Sequence, residues 1–186
     1  MLSRIICLLI VILEVRGLYL SFEDRRWKIL AYYTQLSNIA ALLSAVPAVI
    51  FGETPFTVLL RYTSSCMLVM TFFVTTCILI FMGGNPKRLL FTGTGFYHHL
   101  LIPVLSVGSY LLLEAHVVSA AAIALPTALT CLYGTVMLIV NSRDVFDGPY
   151  PFFRVKKQSA FATVLWMIGL TCAIGLISLA VFALGR

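Results

Sequence analysis

Two short stretches of this chain gather side chains able to exchange a proton: the hydroxyls and amides of Tyr32-Tyr33-Thr34-Gln35-Leu36-Ser37-Asn38, and the imidazoles of His98-His99, which lead into Leu100-Leu101-Ile102-Pro103. Each opens a long apolar run, so each carries polar groups to a depth where lipid cannot satisfy them. Thr34, Ser37 and Asn38 are spaced i, i+3, i+4 and share one helical face, which Ala41, Ser44 and Ala45 continue with small side chains. That face must meet protein. It serves either hydrogen bonding and close approach between helices or a reactive site. His98 and His99 follow Gly93-Thr94-Gly95, with Pro103 one turn further on. Proline has no N–H, so in an α-helix the carbonyl of His99, four residues back, loses its partner. Adjacent residues point about 100° apart at ~3.6 residues per turn. One histidine is therefore expected inward and the other at the interface.

The elements that must position these groups follow from composition. Hydrophobic residues make up 61% of the 186 and charged residues 11%, with a mean hydropathy of +1.02. Lipid must solvate such a chain. No soluble stretch is long enough to bury its own core, so one membrane domain over residues 1–186 is expected. With about 20 residues needed to cross a bilayer, the apolar runs give six helices at about 2–20, 30–51, 59–82, 96–114, 120–140 and 160–184. Between them stand Glu23-Asp24-Arg25-Arg26, Gly52-Glu53-Thr54-Pro55, Gly83-Gly84-Asn85-Pro86, Glu114-Ala115-His116, and the stretch 141–158 with Asp147-Gly148-Pro149-Tyr150-Pro151. Backbone groups in lipid must be satisfied within their own segment, so the fold class is all-α, a six-helix transmembrane bundle. The first run, 5–13, is short like the core of a signal peptide, but Glu14, Val15 and Arg16 follow it in place of an A-x-A-like site. It is read as a retained first helix.

Charge sets the expected orientation. Arg25, Arg26, Lys28, Lys87, Arg88, Arg143, Arg154, Lys156 and Lys157 fall in the loops after helices one, three and five, against Arg4, Arg61 and Arg186 on the other face. The positive-inside bias puts those odd-numbered loops in the cytoplasm and both termini outside a cell membrane. The net charge of +6 is then matched by anionic headgroups, and no nucleic-acid partner is expected. Five cysteines stand singly in apolar spans, with no C-x-x-C pair and no short-spaced Cys/His group. Neither a disulfide framework nor a metal site is indicated, and no cofactor is implied. Glu14 lies within the first helix, where a carboxyl group is protonated, paired with a basic group on another helix, or functional.

Three motifs resemble one family in family order. Trp27-Lys28-Ile29-Leu30-Ala31-Tyr32-Tyr33-Thr34-Gln35-Leu36-Ser37-Asn38 is similar to the helix-two signature of the androgen-induced protein family of membrane threonine hydrolases and its bacterial Pr6Pr-type branch. His99-Leu100-Leu101-Ile102-Pro103-Val104-Leu105, followed by Glu114, resembles their histidine segment, and Gly148-Pro149-Tyr150-Pro151-Phe152 their loop before the last helix. With the six spans between, the likeness covers most of the chain. It implies a six-helix hydrolase with a threonine nucleophile and a histidine inside the bilayer; animal members cleave fatty acid esters of hydroxy fatty acids. The nucleophile maps to Thr34, and the histidine to His99, four before Pro103, with His98 as the alternative. A threonine hydroxyl needs an adjacent base to attack an ester carbonyl, and the imidazole returns that proton to the departing alkoxide. Asn38, Ser37 or Gln35 would donate to the oxyanion, Asn38 first. Glu14 or Glu114 would orient the imidazole, a task a backbone carbonyl also performs. A lipid ester would enter laterally while water arrives from the interface. The chain has no G-x-S-x-G elbow, which separates it from α/β-hydrolase esterases.

A rival reading is a small transporter or lipid-binding bundle in which Glu14, His99 and the helix-two face line a cavity without catalysis. The chain shows no inverted repeat and no matched Gly/Pro-interrupted helices, the usual pointers to transport. Physical contact between Thr34 and a histidine would favour the hydrolase.

Overall fold

A computed structural model describes residues 1–114, 119–143, 145 and 149–185. Ala115, His116, Asp147, Gly148 and Arg186, invoked above, lie outside the described residues. Six helices are long and apolar enough to cross a membrane, and among the described residues there is no strand. They are α1 (Leu2–Arg25), α2 (Tyr33–Phe51), α3 (Pro55–Phe73), α4 (Gly93–Leu113), α5 (Ala124–Ser142) and α6 (Ala160–Leu184). The chain is an all-α, multi-pass membrane protein.

The first boundary departs from the expected 2–20. Helix α1 runs on through Glu23 and Asp24 to Arg25, and a 3-10 turn, Arg26–Ala31, leads to α2. Charges there do not end the helix: Tyr19 donates to Glu23 one turn on at 2.6 Å, and the exposed heads of Asp24 and Arg25 pair with each other at 3.1 Å. Helix α3 starts four residues earlier than the expected 59. Pro55 occupies its first turn, and Thr54 and Thr57 exchange hydrogen bonds as a capping box. It continues beyond Phe73 as a π-helical segment, Val74–Leu79.

The buried residues of α1 are Ser3, Cys7, Ile10, Glu14, Gly17 and Ser21. Their 4-3-4-3-4 spacing makes one seam, of the kind that packs helices at shallow angles, and α2 and the second half of α4 lie against it. Ile5, Leu8, Leu9, Ile12 and Val15 face outward as lipid-facing surface. Helix α3 is central: every residue from 61 to 68 is buried, and it contacts α2, α4, α5 and α6. The small stripe of α2, with Ala41, Ser44 and Ala45 buried, permits close approach to α1 and α3, and Ser44 meets Ser64 of α3 at 2.8 Å.

Two polar clusters occupy opposite ends of this bundle. Where α3 begins and α4 ends, the Arg61 guanidinium is 0% exposed. It donates from Nε and Nη2 to the Glu114 carboxylate at 2.9–3.2 Å, from Nη1 to Ser106 Oγ at 2.9 Å, and from Nη2 to the Ser106 carbonyl and Ser109 Oγ, each at 3.0 Å. Arg61 is therefore an internal ion-pair partner, which removes it from the surface charges used to orient the chain. At the other end lie Thr34 and both histidines.

Candidate functional site

The site forms at the N-terminus of α2. Its first N–H groups have no carbonyl one turn back to receive them, and the preceding Tyr32 supplies no side-chain cap. The missing acceptor comes from 116 residues away: the Thr34 N–H donates to the Tyr150 hydroxyl at 3.3 Å, and Thr34 Oγ1 lies 3.2 Å from the same phenol oxygen. Tyr150 stands just before a short 3-10 turn, Pro151–Phe153, stacked on Phe152 with ring centroids 5.2 Å apart. Tyr33 Oη meets Thr130 at 2.8 Å and Tyr133 donates to the Ala31 carbonyl at 2.8 Å. Those two contacts pin the start of α2 to α5. Burial raises the Tyr150 phenol above the ordinary tyrosine value, so it remains a neutral hydroxyl.

His99 faces the same threonine. Its Nε2 is 3.3 Å from Thr34 Oγ1 and its Nδ1 is 2.7 Å from the Leu89 carbonyl oxygen. A carbonyl accepts only, so Nδ1 carries the proton and Nε2 presents its lone pair to the threonine. Gly95, one turn before His99, makes this possible: a Cβ there would lie 2.6 Å from both the Arg88 and Leu89 carbonyl oxygens. Only a bare backbone lets the loop approach so closely. A backbone carbonyl thus orients His99, and neither acid does. Glu114 is committed to Arg61 and Ser109, and Glu14 lies 3.8 Å from His98 Nδ1.

The other residues singled out in the sequence fall around Thr34 with different partners. Ser37 donates to the Thr34 carbonyl at 2.9 Å and meets Thr71 of α3 at 2.7 Å. Asn38 Nδ2 serves the Thr34 and His98 carbonyls at 2.6 and 3.3 Å, so the group expected first as oxyanion donor is committed to backbone carbonyls in this structure. The engagement has a cause in α4. Residues 97–101 form a π-helical turn in which the Ile102 N–H reaches the Tyr97 carbonyl, five residues back. In that register Pro103 fails to serve the carbonyl of His98, not that of His99, and Asn38 fills the gap. Gln35 turns away from Thr34 and donates to Ser21 Oγ at 3.3 Å.

Two cavities meet at Thr34 and Tyr150, which border both. One is a polar vestibule of about 370 Å³. Ser21, Arg25, Arg88, Leu89, His98 and His99 are among its walls. Both histidines therefore border one space, where one was expected inward and the other at the interface, and each addresses a different hydroxyl. The other is a narrow apolar slot of about 40 Å³ between α3, α5 and α6, walled by Met70, Val74, Cys131, Met167 and Leu170. Met167 reaches across the bare backbone of Gly134, where a Cβ would stand 2.6 Å from its Cε. Among the described residues no group of three or more His, Cys, Asp or Glu could hold a metal ion.

The arrangement supplies a hydroxyl, an imidazole with its lone pair on that hydroxyl, and two donors, the Thr34 N–H and the Tyr150 hydroxyl, beside it. Of these, Tyr150 was absent from the sequence-derived site, although it stood in a quoted motif. No family model, curated protein or solved structure matches the chain.

Proposed function

We propose that this protein is an intramembrane ester hydrolase in which Thr34 attacks the carbonyl of a lipid ester and His99 moves the proton. The observation that carries this reading is the His99 ring itself: Nδ1 is held on a backbone carbonyl at 2.7 Å while Nε2 lies 3.3 Å from Thr34 Oγ1. As Oγ1 bonds to the carbonyl carbon, its proton passes to Nε2 and then to the departing alkoxide; water hydrolyses the acyl-threonine by the same route reversed. The Thr34 N–H, which donates to the Tyr150 oxygen in the resting protein, and the Tyr150 hydroxyl beside Thr34 Oγ1 would turn to the oxyanion as donors. An acyl chain would take the apolar slot once the unbranched side chains of Met70 and Met167 turn aside, and water would come through the vestibule. Fatty acid esters of hydroxy fatty acids are the substrate class the family resemblance implies. By the positive-inside bias, the basic loops near the vestibule support a reading in which this end of the bundle faces the cytoplasm and both termini lie outside.

Hydrolysis of a fatty acyl hydroxy fatty acid by the purified protein, beside Thr34→Ala and His99→Ala, tests the reading. Wild-type turnover lost in both variants supports it, and equal turnover in all three ends it. The transporter reading needs Glu14 beside His99 in one cavity. Glu14 borders neither the vestibule nor the slot.

A further inference from the structure

The Thr34 reaction leaves His98 and Glu14 without a task, yet they are 1% and 0% exposed and sit on a shaped surface. Glu14, Gly17 and Ser21 occupy i, i+3 and i+7 of α1, one stripe of the helix. A Cβ on Gly17 would stand 2.9 Å from His98 Cε1 and 3.2 Å from Nε2. The imidazole therefore rests on bare backbone, between an acid one turn before and a hydroxyl one turn after. Its Nε2 is 3.1 Å from Ser21 Oγ, and Gln35 Nε2 donates to that oxygen at 3.3 Å. A hydroxyl that accepts from Gln35 can still either donate to or accept from Nε2; the productive arrangement has the Ser21 proton on the Nε2 side. Nδ1 then carries the ring proton and faces Glu14 Oε2 at 3.8 Å. At that distance the two are not hydrogen-bonded, and neither Nδ1 nor either Glu14 oxygen has a hydrogen-bond partner among the described residues.

We propose that Ser21, His98 and Glu14 form a second nucleophile-base-acid triad that acts on short, polar carboxylic esters. Ser21 and His98 border the vestibule but not the apolar slot, which sets the substrate class: an ester reaches this hydroxyl from the aqueous side, with no groove for a long acyl chain. Ser21 Oγ bonds to the ester carbonyl carbon as its proton passes to His98 Nε2. The carbon–oxygen bond to the alcohol breaks and that alkoxide takes the proton. Water then cleaves the acyl-serine, releasing the acid and restoring the Ser21 hydroxyl. Glu14 steadies the imidazolium formed at each step, and the second amide hydrogen of Gln35 is the nearby oxyanion donor. Helix packing alone explains a serine and a histidine in contact. It does not explain a buried carboxyl group left without any hydrogen-bond partner, which costs free energy whether the group is charged or neutral.

The full-length protein in detergent, treated with an alkyl fluorophosphonate and mapped by peptide mass, tests this. Two labelled peptides are expected, one at Thr34 and one at Ser21. Thr34→Ala keeps the Ser21 label, and the p-nitrophenyl acetate hydrolysis measured in that variant falls at least tenfold on adding Ser21→Ala. His98→Gln, which keeps the ring's bulk approximately, and Gly17→Ala, which displaces it, each lose the Ser21 label while Thr34 still reacts. Absence of a Ser21 label from folded wild type, or its persistence in His98→Gln, overturns the triad. A label on Thr34 alone removes this proposal and leaves the lipid-ester reading standing; a label on Ser21 alone does the reverse.

Discussion

The two ends of this bundle treat buried polarity in opposite ways. At one end Arg61 and Glu114 are closed on themselves: guanidinium, carboxylate and two serines share short bonds. At the other, Thr34 shares 3.2–3.3 Å contacts with a phenol and an imidazole, and both oxygens of Glu14 and one of Asn38 are left without hydrogen-bond partners. Helix α3 contributes Arg61 to the first end and Thr71 to the second, about 15 Å apart at ~1.5 Å per residue, and α4 likewise runs between them, with Ser106 at the first and His99 at the second. A saturated network holds helices together, because any rearrangement strands a charge in lipid. A loosely bonded one, opening on a cavity, leaves its groups able to exchange partners with a substrate. Polarity in lipid is thus no guide to chemistry; incomplete satisfaction beside a space is.

The contrast breaks most readily through Thr34. Thr34→Ala or His99→Ala should reduce lipid-ester turnover by about 10⁴-fold with little change in thermal stability in detergent; an unfolded variant would instead make this end structural. Arg61→Met should do the opposite, lowering stability by about 3–5 kcal/mol while the folded fraction retains wild-type turnover. Stability regained in Arg61→Met/Glu114→Leu would show that a stranded carboxylate caused the loss. Tyr150→Phe removes the hydroxyl proposed as an oxyanion donor and with it one helix cap, and should cost about 10²–10³-fold in kcat. Burial moves the phenol upward, so wild-type turnover should show no loss from its ionisation below about pH 10, the unperturbed tyrosine value. An earlier loss absent from Tyr150→Phe would contradict that assignment. Smallest is Ser44→Ala, on the same face of α2 but in neither cluster, which should cost about 0.6 kcal/mol of stability and leave turnover intact.

Run length and breakers sufficed for six helices, and the final span, 160–184, coincides with Ala160–Leu184. The first helix was cut short because Glu23, Asp24 and Arg25 read as loop, although charged heads at a helix end reach the interface on their own stems. Thr34 and His99 stood out as polar residues in apolar runs. What orients His99 left no trace, since the Leu89 carbonyl is backbone and every residue has one. Gly95 carried the only available signal, a glycine one turn ahead of the ring. Pro103 was read in α-helical register, which assigned the freed carbonyl to His99. The π turn moves it to His98 and explains Asn38. Glu14 stood out as an acid within an apolar run, but the His98 ring 3.8 Å from it, on another helix, could not be found by counting along one chain.

The Tyr150 cap also sets an order of events during synthesis. Helix α2 is the second span to leave the ribosome, yet the hydroxyl that completes its first turn belongs to the connection before the sixth, 116 residues later. Until that connection is made, Thr34 has its neighbours in the chain but lacks its phenol, and α2 begins on an N–H without this acceptor. A chain halted after its fifth span would carry the threonine and both histidines in an incomplete site. The end of the bundle that holds Thr34 is completed only when the connection before the sixth helix is in place.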